Sequence, residues 1–66
     1  MANRLREFRK NQGMTQMQIA DVLGCQQSFV SQYERGVHTP SLHNALRLAR
    51  ALNTTVEELF GGEVDG

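Results

Sequence analysis

Apolar and small residues recur at Ile19, Ala20, Leu23, Cys25, Val30 and Tyr33 in the stretch from Gln16 to Arg35. This spacing predicts two short helices, Gln16 to Leu23 and about Gln27 to Arg35, packed steeply across a turn at Gly24. Ala20 is small where the second helix has to approach the first, and Gly24 suits a turn that needs positive φ. The surface left over carries Gln26, Gln27, Ser28, Ser31 and Gln32. Two helices joined in this way form a helix-turn-helix unit with a Gln/Ser-rich outer face.

The same procedure extends along the rest of the chain. Asn3 is placed to cap a first helix running to about Gln12, with Leu5 and Phe8 on one face and Gly13 as its stop. Thr15-Gln16-Met17-Gln18 has the form of a capping box at the start of the second helix. Pro40 and Ser41, the latter as cap, open a fourth helix. Its apolar stripe is Leu42, Ala45, Leu46, Ala49 and Leu52, widened by Leu48. Thr55-Val56-Glu57-Glu58 reads as another capping box, opening a fifth helix through Phe60 that ends at Gly61-Gly62. No strand-like alternation, internal repeat or low-complexity run interrupts the pattern. The expected fold is all-α, a compact five-helix bundle, with residues 1–61 as one domain and 62–66 as a flexible tail.

Length and charge narrow the function. A chain of 66 residues supports one small core and no deep catalytic cleft. One cysteine, Cys25, excludes an internal disulfide framework, and it reads as a small buried hydrophobe. No stretch approaches the length of a membrane span and the N-terminus lacks an apolar leader segment, so the expected location is cytoplasmic. Net charge is zero, but residues 1–36 carry +2 and residues 37–66 carry −2. Phosphate affinity follows local rather than total charge, so the basic half permits a nucleic-acid partner.

In order along the chain, the segments NRLREFRKNQGMTQ, IADVLG, VSQYERG, TPSL, ALRLARALN and VEELF resemble the Xre/Cro-type, lambda repressor-like helix-turn-helix regulators of bacteria and phage. The resemblance covers about residues 3 to 60. It implies sequence-specific binding to double-stranded DNA by helices two and three, as a homodimer on a palindromic operator, in a repressor or autoregulator. The chain departs from the family pattern at Cys25, Gln26, Phe29 and Tyr33; of these, Phe29 and Gln26 make the DNA-facing surface its own, so no operator sequence can be transferred.

A third helix, about Gln27–Arg35, entering the major groove presents its N-terminal side chains to base edges. Gln27 is the leading candidate, because an amide donates and accepts and so matches adenine N6 and N7. Ser28, Gln32 and Ser31 are further base-contact candidates. Phe29 has two readings, an apolar contact to a thymine methyl or sugar, or packing against helix two. The resemblance implies a phosphate contact for Gln16 and an ion pair between Arg9 and Glu34 that positions helix three. Arg9, Gln26, Arg35, Ser41, His38 and Asn44 are further phosphate candidates. Arg4, Arg6 and Lys10 read as a solvated basic surface. The dimer surface is expected on or beyond helix five, at Val56, Phe60 and Val64.

Other classes fit less well. A protein-interaction module, such as the antitoxin of a toxin–antitoxin pair, is the alternative, although no segment resembles a toxin-wrapping extension. No nucleophile grouping, phosphate loop or paired carboxylates suggest an enzyme. His38 and His43 are not at a convincing zinc spacing, so no metal, cofactor or small-molecule ligand is expected.

Overall fold

The structure, a computed structural model, describes residues 3–61. Five helices follow in order: α1 (Leu5–Asn11), α2 (Gln16–Leu23), α3 (Gln27–Arg35), α4 (Leu42–Ala51) and α5 (Val56–Phe60). The predicted tail, 62–66, and with it Val64, lies outside the described residues.

Local chemistry explains most of the boundaries. At α2, Thr15 Oγ1 accepts from the Gln18 N–H and Gln18 Oε1 accepts from the Thr15 N–H, a complete capping box. Ser41 Oγ caps α4 by accepting from the Asn44 N–H. Thr55 caps α5 through the Glu58 N–H, but the reciprocal half of the expected box does not form. Glu58 instead gives its carboxylate to Arg4, 2.9 Å away. Asn3 acts one residue outside the position expected of it. Its Oδ1 accepts from the Leu5 N–H at 3.0 Å while its Nδ2 donates to the Tyr33 carbonyl at 2.6 Å. The helix therefore begins after Arg4, with Asn3 tying its start to α3.

Two turns set the angle of α3. Gly24 has φ 68°, and the Cys25 N–H closes on the Ala20 carbonyl at 3.0 Å. An added Cβ at Gly24 would meet nothing within 4 Å, so the backbone conformation rather than space demands glycine there. Gly36 repeats the device at the other end of α3, with φ 73° and the Val37 N–H on the Gln32 carbonyl.

The core joins all five helices through Leu5, Ile19, Ala20, Leu23, Val30, Ala45, Leu48, Ala49, Leu52, Leu59 and Phe60. On α4 the buried face is Ala45, Leu48, Ala49 and Leu52, whereas Leu42 and Leu46 are half exposed. The expected stripe is thus rotated toward Leu48. Pro40 is buried just before α4 and closes the loop onto the core. Cys25 is partly buried rather than fully so, and this burial pushes its thiol above the ordinary range. The thiol thereby stays protonated near neutral pH, which makes it a poor nucleophile.

At the surface Arg4 links the start of α1 to α5. Its guanidinium contacts Glu7 and Glu58 and lies over the Phe8 ring, and its N–H donates to the Leu59 carbonyl. Hydrogen bonding to Arg4 holds the Glu7 carboxyl below its usual value. The side chains involved are about half exposed, so the net contribution of these pairs is small.

Candidate nucleic-acid interface

The outer surface of α3 is built by default. Val30 and Glu34 turn inward, which leaves Gln26, Gln27, Ser28, Phe29 and Arg35 exposed and Ser31 and Gln32 half-buried. Gln26 stands at the N-cap position without making a side-chain cap bond, so its amide remains at the surface.

Behind that surface lies a connected polar chain. Arg9 and Glu34 are 9% and 8% exposed. Arg9 Nε donates to Glu34 Oε2 at 2.5 Å and its Nη2 donates to Oε1 at 3.3 Å. Arg9 Nη1 reaches the Met14 carbonyl at 2.9 Å, so every nitrogen of this guanidinium has an internal acceptor. Arg9 therefore acts as a positioning group between α1 and α3. Glu34 Oε1 also accepts from Gln16 Nε2 at 2.9 Å, and Gln16 Oε1 accepts from Gln27 Nε2 at 3.3 Å. The order from inside to surface is Arg9, Glu34, Gln16, Gln27. No described buried side-chain nitrogen or oxygen is left without a partner, as a low-dielectric site requires.

A polar cleft of about 300 Å³ opens beside this chain, lined by Arg6, Arg9, Gln16, Ser31, Glu34 and Arg35. It gathers four residues expected from the sequence to meet DNA (Arg9, Gln16, Ser31 and Arg35), the ion-pair partner Glu34, and one residue expected in neither role. Arg6, assigned above to a general basic surface, joins Arg35 at the cleft. Three arginines against one carboxylate give the cleft a net positive charge, and Glu34 is already engaged by Arg9. The signal for Arg6 was faint in the sequence, since only its offset of three from Arg9 places it near the same side of α1.

The other candidates fall elsewhere. Ser41 is exposed but its oxygen caps α4, His38 is exposed in the preceding loop, and Asn44 is half-buried in the first turn of α4. Phe29 is 44% exposed and does not belong to the apolar side chains packed on the core. On α5, Phe60 is only 7% exposed and serves the monomer core, which opposes the dimer role expected of it. Val56 is partly buried against that core. Among the described residues no three His, Cys, Asp or Glu side chains group as a metal site, and no helix is long and apolar enough to cross a membrane.

Comparison with known proteins places the fold. A family model described as Helix-turn-helix matches residues 5–59. An uncharacterised HTH-type transcriptional regulator of Archaeoglobus fulgidus is 40% identical over 60 residues, which are 91% of this chain and 86% of that protein. The cryptic phage CTXphi transcriptional repressor RstR of Vibrio cholerae is 36% identical over 58 residues, covering 88% of this chain and 52% of the repressor. Among solved structures, the restriction-modification controller protein C.AhdI from Aeromonas hydrophila superposes with a TM-score of 0.75 at 44% identity, over 86% of each chain.

Proposed function

Because the chain belongs to the Xre/Cro-type helix-turn-helix family of transcriptional regulators, which bind DNA and are not enzymes, we propose that it represses or autoregulates transcription by placing α3 in the major groove of a palindromic operator. The observation that carries this reading is Gln27. It stands exposed in the first turn of α3, with its amide held at one end by Gln16. Ser28, Gln32 and Ser31 supply further base contacts, and Phe29 offers its exposed ring to a thymine methyl. Gln16, Arg35, Gln26, Ser41, His38 and Asn44 hold the phosphate backbone on either side and set the register. The relatives' names do not favour a toxin-binding role.

The Cα atoms of the described residues extend 23 × 21 × 20 Å, less than the distance of about 34 Å between the half-sites of a two-fold operator, and this supports two chains per operator. The exposed part of α5 around Val56 is the proposed meeting surface.

The test is selection of duplexes from a randomised pool, followed by binding titrations on the enriched sequence. Gln27→Ala is expected to weaken the selected duplex by about 1–3 kcal/mol and to leave random DNA nearly unaffected. Sedimentation of the complex is expected to count two chains per duplex. Equal loss on all sequences would remove the base-reading role, and a saturated complex of one chain per duplex would remove the dimer.

The cleft gives a separate prediction. Replacing both Arg6 and Arg35 by Ala is expected to weaken all duplexes alike and to reduce the slope of log affinity against log salt by about 2. An unchanged slope in titrations across salt concentrations would take both arginines off the phosphate backbone.

A further inference from the structure

The two ends of α3 are held differently. Its C-terminal end is tied to α1 twice, by Glu34 on Arg9 and by the Tyr33 carbonyl, which accepts from Asn3 Nδ2. Its N-terminal end, the one that enters the groove, has no side-chain cap, and Gln27 reaches Gln16 only at the exposed surface, at 3.3 Å. The start of α3 therefore takes its place from the last turn of α2 and from Gly24 and Cys25. That turn is short of donors by construction, since the last four carbonyls of a helix have no intrahelical N–H to receive. The Gly24 and Cys25 N–H groups serve Ala20 and Asp21. The Val22 carbonyl comes next, and it accepts from Arg47 Nη2 on α4, 25 residues along the chain.

We propose that Arg47 is a positioning residue for DNA recognition, capping the C-terminal end of α2 and so fixing the turn from which α3 enters the groove. The proposal rests on the reading of α3 as the groove-entering helix and adds what holds its leading end. A guanidinium at the end of a helix meets the negative pole of the helix dipole as well as a carbonyl. The base from which it projects is firm, because Ala45, Leu48, Ala49 and Leu52 bury the opposite side of α4 in the core. Arg47 itself is exposed and forms no ion pair among the described residues, so no carboxylate competes with Val22 for it. One exposed hydrogen bond adds little to overall stability, yet this one restrains the joint between α2 and α3. Order that is not in place before binding has to be supplied during it, at the expense of affinity.

The consequence is selective. A loosened turn costs affinity where α3 has to seat against base edges, and costs little where phosphates alone hold the chain to random DNA. A residue that only added global stability would behave otherwise, since a variant that stays almost wholly folded then binds as the wild type does. An arginine on a phosphate would differ again, weakening all duplexes alike and lowering the slope of log affinity against log salt by about 1.

The experiment compares wild type, Arg47→Ala, Arg47→Lys and Arg50→Ala, each shown by thermal melts to be folded at the binding temperature. Arg50 is exposed on the same helix, and its replacement removes the same charge. Affinities are measured on the duplex enriched from a randomised pool and on a random duplex, at several salt concentrations, and amide exchange is followed at Cys25. Arg47→Ala is expected to weaken the enriched duplex by about 3- to 10-fold, the range of one hydrogen bond. Random DNA and the salt slope are expected to stay nearly unchanged, and the Cys25 amide to exchange faster by a similar factor. Arg47→Lys, which keeps a donor for the carbonyl, is expected to recover most of both losses, and Arg50→Ala to match wild type. Unchanged affinity for the enriched duplex in Arg47→Ala overturns the proposal, as does unchanged exchange at Cys25. A slope lowered by about 1, an equal loss in Arg50→Ala, or no recovery in Arg47→Lys overturns it too. If Arg47→Ala is not folded at the binding temperature, Arg47→Met replaces it, keeping the length of the side chain without the donor. If Gln27→Ala leaves the enriched duplex unaffected, the reading of α3 itself fails, and the role of Arg47 in recognition falls with it.

Discussion

Arg9→Ala is expected to leave the protein only marginally stable at room temperature. The substitution strands Glu34, which is 8% exposed, with Gln16 as its remaining side-chain partner. It also removes the hydrogen bond that fixes the Met14 carbonyl in the loop before α2. Breaking a buried ion pair from one side costs about 3–5 kcal/mol, because the surviving charge keeps its desolvation penalty and loses its compensation. A small domain has roughly 5 kcal/mol in total, so the loss is comparable to the whole stability. Circular dichroism against temperature and denaturant checks this directly. A cooperative transition within a few degrees of wild type would show that Glu34 finds water or another donor. Replacing both partners, as in Arg9→Leu with Glu34→Leu, is expected to recover much of the fold, since paired apolar groups of similar shape often match a buried ion pair.

The degree to which the sequence announces each feature follows from how local its cause is. The capping box at Thr15–Gln18, the turn at Gly24 and the cap at Ser41 are legible because the interacting groups are a few residues apart. The helix-turn-helix is legible because its apolar positions leave only one surface for the polar ones. The length of chain that repeats the family's segments made the ion pair of Arg9 and Glu34 legible too, though nothing in their separation of 25 residues would suggest it.

What escaped depends on partners far apart in the chain. Glu58 was assigned to its own helix's capping box, but Arg4, 54 residues away, offers a charged donor, which outcompetes a backbone N–H. Arg6 is exposed, as a solvated basic residue should be, but the cleft it also lines forms only when α1, α2 and α3 meet. Phe60 reads from the sequence as either a dimer contact or a closure of the monomer core, because an apolar residue at a helix end has no single reading until the packing of that helix is known. Of the candidate contacts, Gln16, Gln27, Ser31 and Arg35 can be placed relative to one another through the shared cleft and hydrogen bonds. His38, Ser41 and Asn44 sit around the start of α4, where only their proximity to a bound duplex could distinguish them from ordinary polar surface.

The rotation of α4 supports the second large prediction, a contrast between two leucines two residues apart. By periodicity alone Leu46 is part of the central stripe and Leu48 an extension of it. In the structure Leu48 is fully buried and Leu46 is 44% exposed. Leu48→Ala is expected to cost about 2–5 kcal/mol, the transfer of the lost methyl groups plus the cavity left among rigid neighbours. For a domain of this size that lowers the midpoint of thermal unfolding by more than about 10 °C. Leu46→Ala is expected to cost less than about 1 kcal/mol, since its side chain gives up little buried area. Equal effects in thermal melts would restore the unrotated stripe. The two variants also separate stability from recognition. Leu48 takes no part in the surface of α3 or the polar chain behind it, so the folded fraction of Leu48→Ala should read the same bases as wild type. Binding to the selected duplex then draws the unfolded chains back by mass action, and the melt of this variant should rise steeply with added operator while its base preferences stay fixed.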